Sequence, residues 1–403
     1  MDENVNSPAE SAATPATPAP TAAPVAPPPP PPPLRTAPPA FVPPPISSPR
    51  AKGGSGWKIF AIILCVLLVL TLVLNPLGIL MELAGSGTVG PMRHHSGPQM
   101  QEHWIEDNNS HHRIVVVPVE GVITSQSMGR NGPTMVDMVD EQLRIAADDK
   151  RVKAVVLKVN SPGGEVLASD DIYRLVEDFQ RKTGKPVVAA MGSLAASGGY
   201  YVSAPCQWIV ANELTITGSI GVIMHGYNFR GLMDKVGVRP EVFKSGKFKD
   251  MLSFDKREQD ITQEEREMVQ SMVNETFDKF KSIVGEGRNG AAKKNAGAAE
   301  KGRALAENWV QYADGRILSG KEAHKLGFVD ELGNFDTAVA RAMKLAKIDD
   351  ANVIQYHPVF GLGDLLGMFG SSEARTLKID VGLDIPRLQL GRLYFLCPLT
   401  LPR

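Results

Sequence analysis

The chain has 403 residues, 22% of them charged, and a formal net charge of −1 at pH 7. This length allows one large catalytic domain with additional segments. A net charge so close to zero excludes the overall basic field of a nucleic-acid-binding protein, so no nucleic-acid partner is expected.

The first 58 residues differ in composition from the rest of the chain. Eighteen of the 31 prolines lie before Arg50, including the unbroken run 27–33, and alanine, threonine and serine fill much of the remainder. Such a sequence has too little apolar surface to form a packed core. We therefore expect residues 1–58 to be a disordered arm with polyproline II character.

An uncharged apolar run follows at residues 59–81, between Lys58 and Glu82. At 1.5 Å per residue it predicts a helix about 35 Å long, enough to cross a hydrocarbon layer of about 30 Å. All the charges close before it are basic, which predicts a cytoplasmic N-terminus and an extracytoplasmic remainder anchored in the inner membrane. A cleaved signal peptide is the alternative, but the long preceding arm and the length of the run disfavour it.

Residues 82–112 are polar and contain five of the eight histidines. They lack cysteine and any regular spacing of ligands, so a juxtamembrane linker without a metal site is expected. The three cysteines cannot form a disulfide framework, and a bridge between Cys206 and Cys397 is the single extracytoplasmic pairing available.

From Arg113 to Ile348 the sequence alternates between strand-like and helix-like patterns, which predicts an α/β domain at residues 113–348. The predicted strands are Ile114–Val119, Val152–Val159, Pro186–Met191, Trp208–Val210 and Glu241–Phe243. The predicted helices are Thr134–Asp149, Glu165–Lys182, Asn228–Val236 and Thr262–Val284. Residues 349–403 form a tail of unknown role, whose final apolar run, 393–401, is too short to span a membrane.

The segment Met191–Tyr201 carries the strongest functional signal. Ser197 stands between a predicted strand and a predicted helix, among small residues that permit a sharp turn and the close approach of a substrate carbonyl. The helix start then offers unpaired N–H groups to a developing oxyanion. The sequence therefore predicts a serine hydrolase with Ser197 as the nucleophile.

A second turn, Asn160–Gly164, follows the predicted strand that ends at Val159. It has the composition of an ordinary strand-to-helix turn. Beside the serine turn, however, it favours a clamp on a peptide backbone, with Gly163, Gly164 and Gly198 as oxyanion and substrate-binding positions.

A serine hydroxyl needs a base to become an effective nucleophile. The candidates are His225, Lys247 and Lys249. A lysine serves as a base near neutral pH only where apolar surroundings lower its pKa by about 3 units. Composition alone does not choose among the three.

Five motifs occur together and in order: Asn160–Gly164, Met191–Tyr201, Thr217–Val222, Ser245–Asp250 and Asp314–Gly320. In combination they resemble the signal peptide peptidase A family of membrane-anchored serine proteases, over roughly residues 113–346. The resemblance implies the Clp protease/crotonase fold, hydrolysis of hydrophobic peptides such as cleaved signal peptides, and no cofactor. It also implies a dyad of Ser197 and Lys249, with Ser219 holding the lysine amine.

The chain contains one copy of this motif set, as in the short forms of the family. The resemblance then implies a homo-oligomeric ring in which neighbouring subunits complete each dyad. Three alternatives remain: a Ser–His pair that uses His225, a crotonase-like acyl-CoA enzyme that polarises a thioester with glycine amides, and a non-enzymatic membrane scaffold.

Overall fold

The computed structural model describes residues 60–67, 97–127, 132–297, 302–359 and 392–397. The expected proline-rich arm, 1–58, and residues 68–81 of the apolar run lie outside these ranges. Residues 60–67 form helix α1, in a unit separate from the rest of the described chain. Among the described helices, none combines the length and apolar character needed to cross a bilayer.

A nine-stranded sheet forms the centre of the larger unit. Seven strands follow the order β1-β11-β2-β3-β5-β6-β10, and β7 pairs with both β5 and β9. Three further strands form a small sheet in the order β4-β12-β8. The strands are β1 (Met100–Glu106), β2 (Arg113–Glu120), β3 (Val152–Ser161), β4 (Gly163–Glu165), β5 (Val187–Ala196), β6 (Trp208–Ala211), β7 (Ile216–Gly218), β8 (Ile223–Met224), β9 (Ile317–Ser319), β10 (Glu331–Leu332), β11 (Asn352–Pro358) and β12 (Leu393–Leu396).

Helices cover both faces of the large sheet. They are α2 (Met135–Asp148), α3 (Val166–Thr183), α4 (Gly198–Ser203), α5 (Arg230–Lys235), α6 (Gln263–Asn295), α7 (Gly320–Lys325) and α8 (Phe335–Ala346), with 3₁₀ turns at Glu258–Asp260 and Trp309–Tyr312.

The central strands are buried on both faces because their neighbours are parallel and helices lie above and below. In β2, Val115 and Val117 face the core that contains residues of α2 and α3, whereas Ile114 and Val116 face residues of α8. Continuous apolar strands between two helical layers are typical of parallel α/β sheets. The predicted α/β class is confirmed.

Several predicted elements agree closely with the structure. Thr134 and Thr262 cap the starts of α2 and α6 in capping boxes, which explains why these starts were readable from sequence. Helix α6 continues to Asn295, beyond the predicted end at Val284. The predicted strand Glu241–Phe243 is wrong: these residues are exposed and irregular, because no described strand lies beside them to pair with.

The sheet also extends beyond the expected domain of residues 113–348. Strand β1 lies within the expected linker, and it pairs antiparallel with β11 from the expected tail. Strand β11 in turn pairs parallel with β2. Strand β12, also from the tail, joins the small sheet.

Candidate active site

Ser197 occupies a strained turn between β5 and α4. Its backbone has φ 54° and ψ −115°, a region that residues other than glycine rarely adopt. The turn is held on both sides, since the Ser197 amide donates to the Gly218 carbonyl at 2.9 Å and the Tyr201 amide donates to the Ser197 carbonyl at 2.8 Å. Strain of this kind costs about 1–3 kcal/mol and persists where the surroundings enforce it, often at functional sites.

The Ser197 hydroxyl is buried and unpaired. The residue is 1% exposed, and its Oγ has no hydrogen-bond partner among the residues that the structure describes. An unsatisfied buried hydroxyl costs about 1–3 kcal/mol, so such groups are uncommon in folded proteins. Within the described residues, this hydroxyl is therefore free to interact with a further group.

The two glycine turns expected from the sequence pack against each other. A Cβ atom added to Gly198 would lie 3.0 Å from the Gly163 Cα and 3.1 Å from the Gly164 nitrogen. One added to Gly163, which has φ +96°, would lie 2.6 Å from the Gly198 nitrogen. Gly198 is the first residue of α4, so its amide has no acceptor within the helix. The structure thus brings all three predicted glycines to one place beside Ser197.

Ser219 also lies beside Ser197. Strand β7 pairs with β5 so that Gly218 stands opposite Ala196, and each serine directly follows one of these residues. Ser219 is 4% exposed and has a positive φ of 50°. Its amide donates to the Arg316 carbonyl at 2.7 Å, which connects the site to the Asp314–Gly320 motif.

That motif is stabilised by an ion pair between Arg316 and Asp314, with 2.6 Å between Nη2 and Oδ2. Hydrogen bonds from the Arg316 side chain lower the pKa of Asp314 to about 2. Strand β9, which begins at Ile317, then pairs antiparallel with β7. The motif therefore acts as a support for the Ser219 turn.

None of the three candidate bases is hydrogen-bonded to the Ser197 hydroxyl in the described part of the chain. Lys249 is exposed in a turn of the 226–262 segment, and no hydrogen bond of its ammonium group occurs within the described part of the chain. Lys247 pairs with Glu264 at 2.5 Å, and His225 is exposed directly after β8. The described residues thus bring Ser197, Ser219 and the glycines together, and among them no base is hydrogen-bonded to the Ser197 hydroxyl.

Sequence reasoning missed the residues that anchor α4. The Tyr200 hydroxyl donates to the Phe328 carbonyl at 2.9 Å, and the Tyr201 hydroxyl donates to Asp170 at 2.7 Å. Beyond the helix, the fully buried Arg288 donates to the Cys206 carbonyl at 2.8 Å and pairs with Asp330. Both tyrosines belong to the Met191–Tyr201 motif. Their partners are distant in the sequence, so no pattern near the motif could have predicted these contacts.

The burial of Tyr200 and Tyr201 predicts that the protein loses stability at alkaline pH. Burial raises the pKa of Tyr200 and Tyr201 above the usual value, and the bond to Asp170 raises that of Tyr201 further. The raised pKa means that the fold favours the neutral phenol over the phenolate. The contribution of each tyrosine to the free energy of unfolding is therefore complete below about pH 10, and it is lost as the pH rises through the folded-state pKa. Tyr201→Phe should cost about 1 kcal/mol at pH 7 and weaken the loss of stability above pH 10.

Urea unfolding at pH 7, 9 and 10.5 measures this effect. Tyr227→Phe is the control, because Tyr227 is 64% exposed. If the free energy of unfolding falls equally with rising pH in both variants, the role given to Tyr201 is contradicted.

Strand β5 leads through the strained, buried Ser197 into the start of α4, and the Gly163–Gly164 turn packs beside it. This arrangement is typical of a hydrolase with a serine nucleophile. The family model described as Peptidase family S49 matches residues 179–309 and 298–349. A Methanocaldococcus jannaschii protein whose name gives it as a protease is 40% identical over 236 residues, 58% of this chain and 68% of that protein. An Enterococcus faecium protein whose name gives it as a signal peptide peptidase SppA is 36% identical over 263 residues, 64% of this chain and 71% of that protein.

The chain belongs to peptidase family S49, as a serine-type peptidase of the SppA group. Among solved structures, a ClpP1 mutant from Listeria monocytogenes matches with a TM-score of 0.33 and 15% identity, over 56% of this chain and 94% of that one. A TM-score below 0.5 does not define the fold, so the Clp protease/crotonase assignment stays a prediction.

Proposed function

We propose that this protein is a membrane-anchored serine endopeptidase in which Ser197 and Lys249 form a catalytic dyad that cleaves hydrophobic peptides, released signal peptides among them. The observation that carries the proposal is the Ser197 hydroxyl, which is buried, strained in position and without a partner in the described chain. A fold retains such a costly arrangement where the unpaired group has a chemical task.

In the proposed reaction, Ser197 Oγ attacks the carbonyl carbon of the peptide bond while the neutral Lys249 amine accepts its proton. The Gly198 amide and an amide of the Gly163–Gly164 turn stabilise the developing oxyanion. The lysine then gives the proton to the leaving amine, and an ester remains on Ser197. Water, deprotonated by the same lysine, hydrolyses this ester and restores the serine. Ser219 holds the lysine amine in position.

The dyad requires a second subunit. Lys249 is exposed in the single chain, whereas a lysine that serves as a base needs apolar surroundings. The segment that carries it exposes large apolar side chains, an unusual concentration for a free surface. They include Tyr227 (64% exposed), Leu232 (59%), Phe243 (88%), Leu252 (58%) and Phe254 (47%). We propose that a neighbouring copy covers this segment and that Lys249 thereby reaches the Ser197 of that copy.

Subunit mixing tests the shared dyad. Ser197→Ala and Lys249→Ala should each be inactive, but a mixed oligomer contains sites that combine an intact serine with an intact lysine from the neighbour. Equal mixing should restore about a quarter of the wild-type activity if each dyad spans one interface. Hydrolysis of a fluorogenic peptide after dissociation and reassembly measures the gain.

Two controls define the result. Either variant reassembled alone should stay inactive. A mixture that remains inactive, although native mass spectrometry with one isotope-labelled variant shows mixed oligomers, would mean that each chain supplies both groups of its own site.

The anchor proposed at residues 59–81 holds the catalytic domain beside the extracytoplasmic face of the inner membrane, where cleaved apolar segments accumulate. An extended peptide pairs with the Gly163–Gly164 turn through its backbone, and apolar subsites select its side chains.

Substrate preference follows from these apolar subsites. Synthetic signal peptides should be cleaved with a kcat/KM at least about tenfold higher than charged peptides of equal length, since burial of two side-chain methylenes contributes about 1.4 kcal/mol or more. Mass spectrometry of the products locates the cut sites, which should follow residues such as Leu, Ala or Phe. Equal cleavage of both peptide sets would leave the serine chemistry intact and contradict the substrate class.

A further inference from the structure

Asp250 ends the Ser245–Asp250 motif, and the proposed reaction gives it no task. Its carboxylate is held by two lysines, one before it and one after it in the chain. Lys244 Nζ donates to Oδ1 at 2.9 Å and to Oδ2 at 2.8 Å, and Lys256 Nζ lies 3.4 Å from Oδ1. These three side chains form an ion-pair cluster, the Asp250 cluster, directly beside the proposed base Lys249.

The Asp250 cluster is attached to the start of helix α6. Lys256 Nζ also lies 2.5 Å from Glu265 Oε1. The other carboxylate oxygen of Glu265 accepts the Thr262 amide at 2.9 Å, within the capping box that begins α6. Asp250 is therefore connected, through Lys256 and Glu265, to a helix of 33 residues.

The connection to α6 is largely shielded from solvent. The exposed fraction of the side chain is 16% for Asp250, 11% for Lys256 and 4% for Glu265. Water and salt screen shielded ion pairs less than they screen pairs on the surface, so these pairs restrain the groups that form them. The hydrogen bond from Lys244 lowers the pKa of Asp250, which keeps this residue a carboxylate at neutral pH.

Regular backbone structure does not fix the position of Lys249. Residues 237–262 contain no strand and no α-helix, and the Lys249 amide donates to the Gly246 carbonyl in a short turn, at 3.2 Å. Leu252 follows with a positive φ of 65°, a conformation that bulky residues rarely adopt. Asp250 directly follows Lys249, so the Asp250 cluster is the attachment to α6 that lies nearest to the base in the sequence.

We propose that Asp250 is a positioning residue for Lys249. The Asp250 cluster holds this turn in the conformation from which the Lys249 amine reaches the serine of a neighbouring subunit. Asp250 itself contacts neither the substrate nor the reacting atoms. A displaced amine is a poorer base, because proton transfer requires a hydrogen-bond distance. This inference rests on the proposed function, in which Lys249 is the base.

Asp250→Asn is the first test, since asparagine has nearly the same size as aspartate but lacks the charge that attracts both lysines. Lys256 keeps Glu265 as its partner, so the variant leaves no shielded charge unpaired. With a fluorogenic hydrophobic peptide, kcat should fall by about tenfold or more, because the base is displaced. KM should change by less than about threefold, because the substrate subsites are not altered.

Two further variants define this result. Asp250→Glu restores the carboxylate and should recover most of the lost kcat. Asp255→Asn is the matched control, because Asp255 lies in the same loop but its carboxylate accepts a hydrogen bond from the Ser253 hydroxyl. It should retain most of the wild-type kcat.

A double-variant cycle separates positioning of the base from general support of the fold. The readout is the rate constant for labelling of Ser197 by a fluorophosphonate. Asp250→Asn should slow labelling by about tenfold or more in the wild-type background, but by less than about twofold in the Lys249→Ala background. A residue that merely supports the fold would slow labelling by the same factor in both backgrounds.

Lys244→Met tests the Asp250 cluster from its solvent-exposed side and provides a result if Asp250→Asn does not fold. The Lys244 side chain is 38% exposed, and Asp250 keeps Lys256 as a partner when Lys244 is lost. This variant should lower kcat by about threefold or more, and the loss should again disappear in the Lys249→Ala background.

The outcomes distinguish the two proposals. If Lys249→Ala is inactive but Asp250→Asn and Lys244→Met keep the wild-type kcat, the positioning role is overturned and the dyad stands. Equal slowing of labelling in both backgrounds would also overturn the positioning role. If Lys249→Ala keeps the wild-type activity, the proposed dyad itself fails, whatever the effect of Asp250→Asn.

Discussion

Replacing Ser197 by alanine is expected to reduce kcat/KM for a peptide ester by about 10⁴-fold or more, because the hydroxyl oxygen forms the covalent intermediate. The fold should remain, since alanine fits the same turn and the lost hydroxyl makes no hydrogen bond in the described structure. Removing an unsatisfied buried group should leave the free energy of unfolding unchanged or raise it by about 1 kcal/mol. Replacing an active-site residue often has this double effect, in which activity falls while stability is kept or increased.

Initial rates with a fluorogenic ester and urea unfolding curves measure both effects. Ser193→Ala is a suitable control, because Ser193 lies four residues earlier in β5 and is exposed. Near wild-type turnover by Ser197→Ala would exclude this serine as the nucleophile. A large loss of stability would instead attribute any inactivity to misfolding.

Replacing Lys249 by alanine is expected to be about as damaging as replacing Ser197. Two groups that act as one catalytic unit are not additive, so the double variant should lose little beyond either single variant. Lys247→Ala is the closest control, since Lys247 belongs to the same Ser245–Asp250 motif but pairs with Glu264 on the surface. It should retain most of the activity.

The same series distinguishes the alternative mechanism. His225→Ala should retain most of its activity, because His225 is exposed after β8 and makes no hydrogen bond to the site within the described residues. A severe defect in His225→Ala together with a mild defect in Lys249→Ala would assign the enzyme to the Ser–His class. Labelling with a fluorophosphonate shows in each variant whether Ser197 remains reactive.

The sequence by itself determined the parts of this protein that depend on neighbouring residues. Thr134 and Thr262 marked helix starts because a capping box closes within four residues. The strand, serine and glycine order around Ser197 indicated the turn because that geometry is local. The alternation of apolar strand-like runs, such as Ile114–Val119, with helical spacing of apolar residues indicated the α/β class, because both patterns are local features of the sequence.

Only the tertiary structure decided the parts that depend on distant residues. The Asn108 amide bonds to Asn352 across 244 positions, and this contact belongs to the region where β1 and β11 extend the sheet. Residues 393–396 read as an apolar stretch without a role until β4 and β8 supplied partners for their backbone. Conversely, Glu241–Phe243 has strand-like residues but no strand beside it in the described chain. Strand pairing is a contact between separate segments, so composition predicts the tendency and the fold decides whether a partner is present.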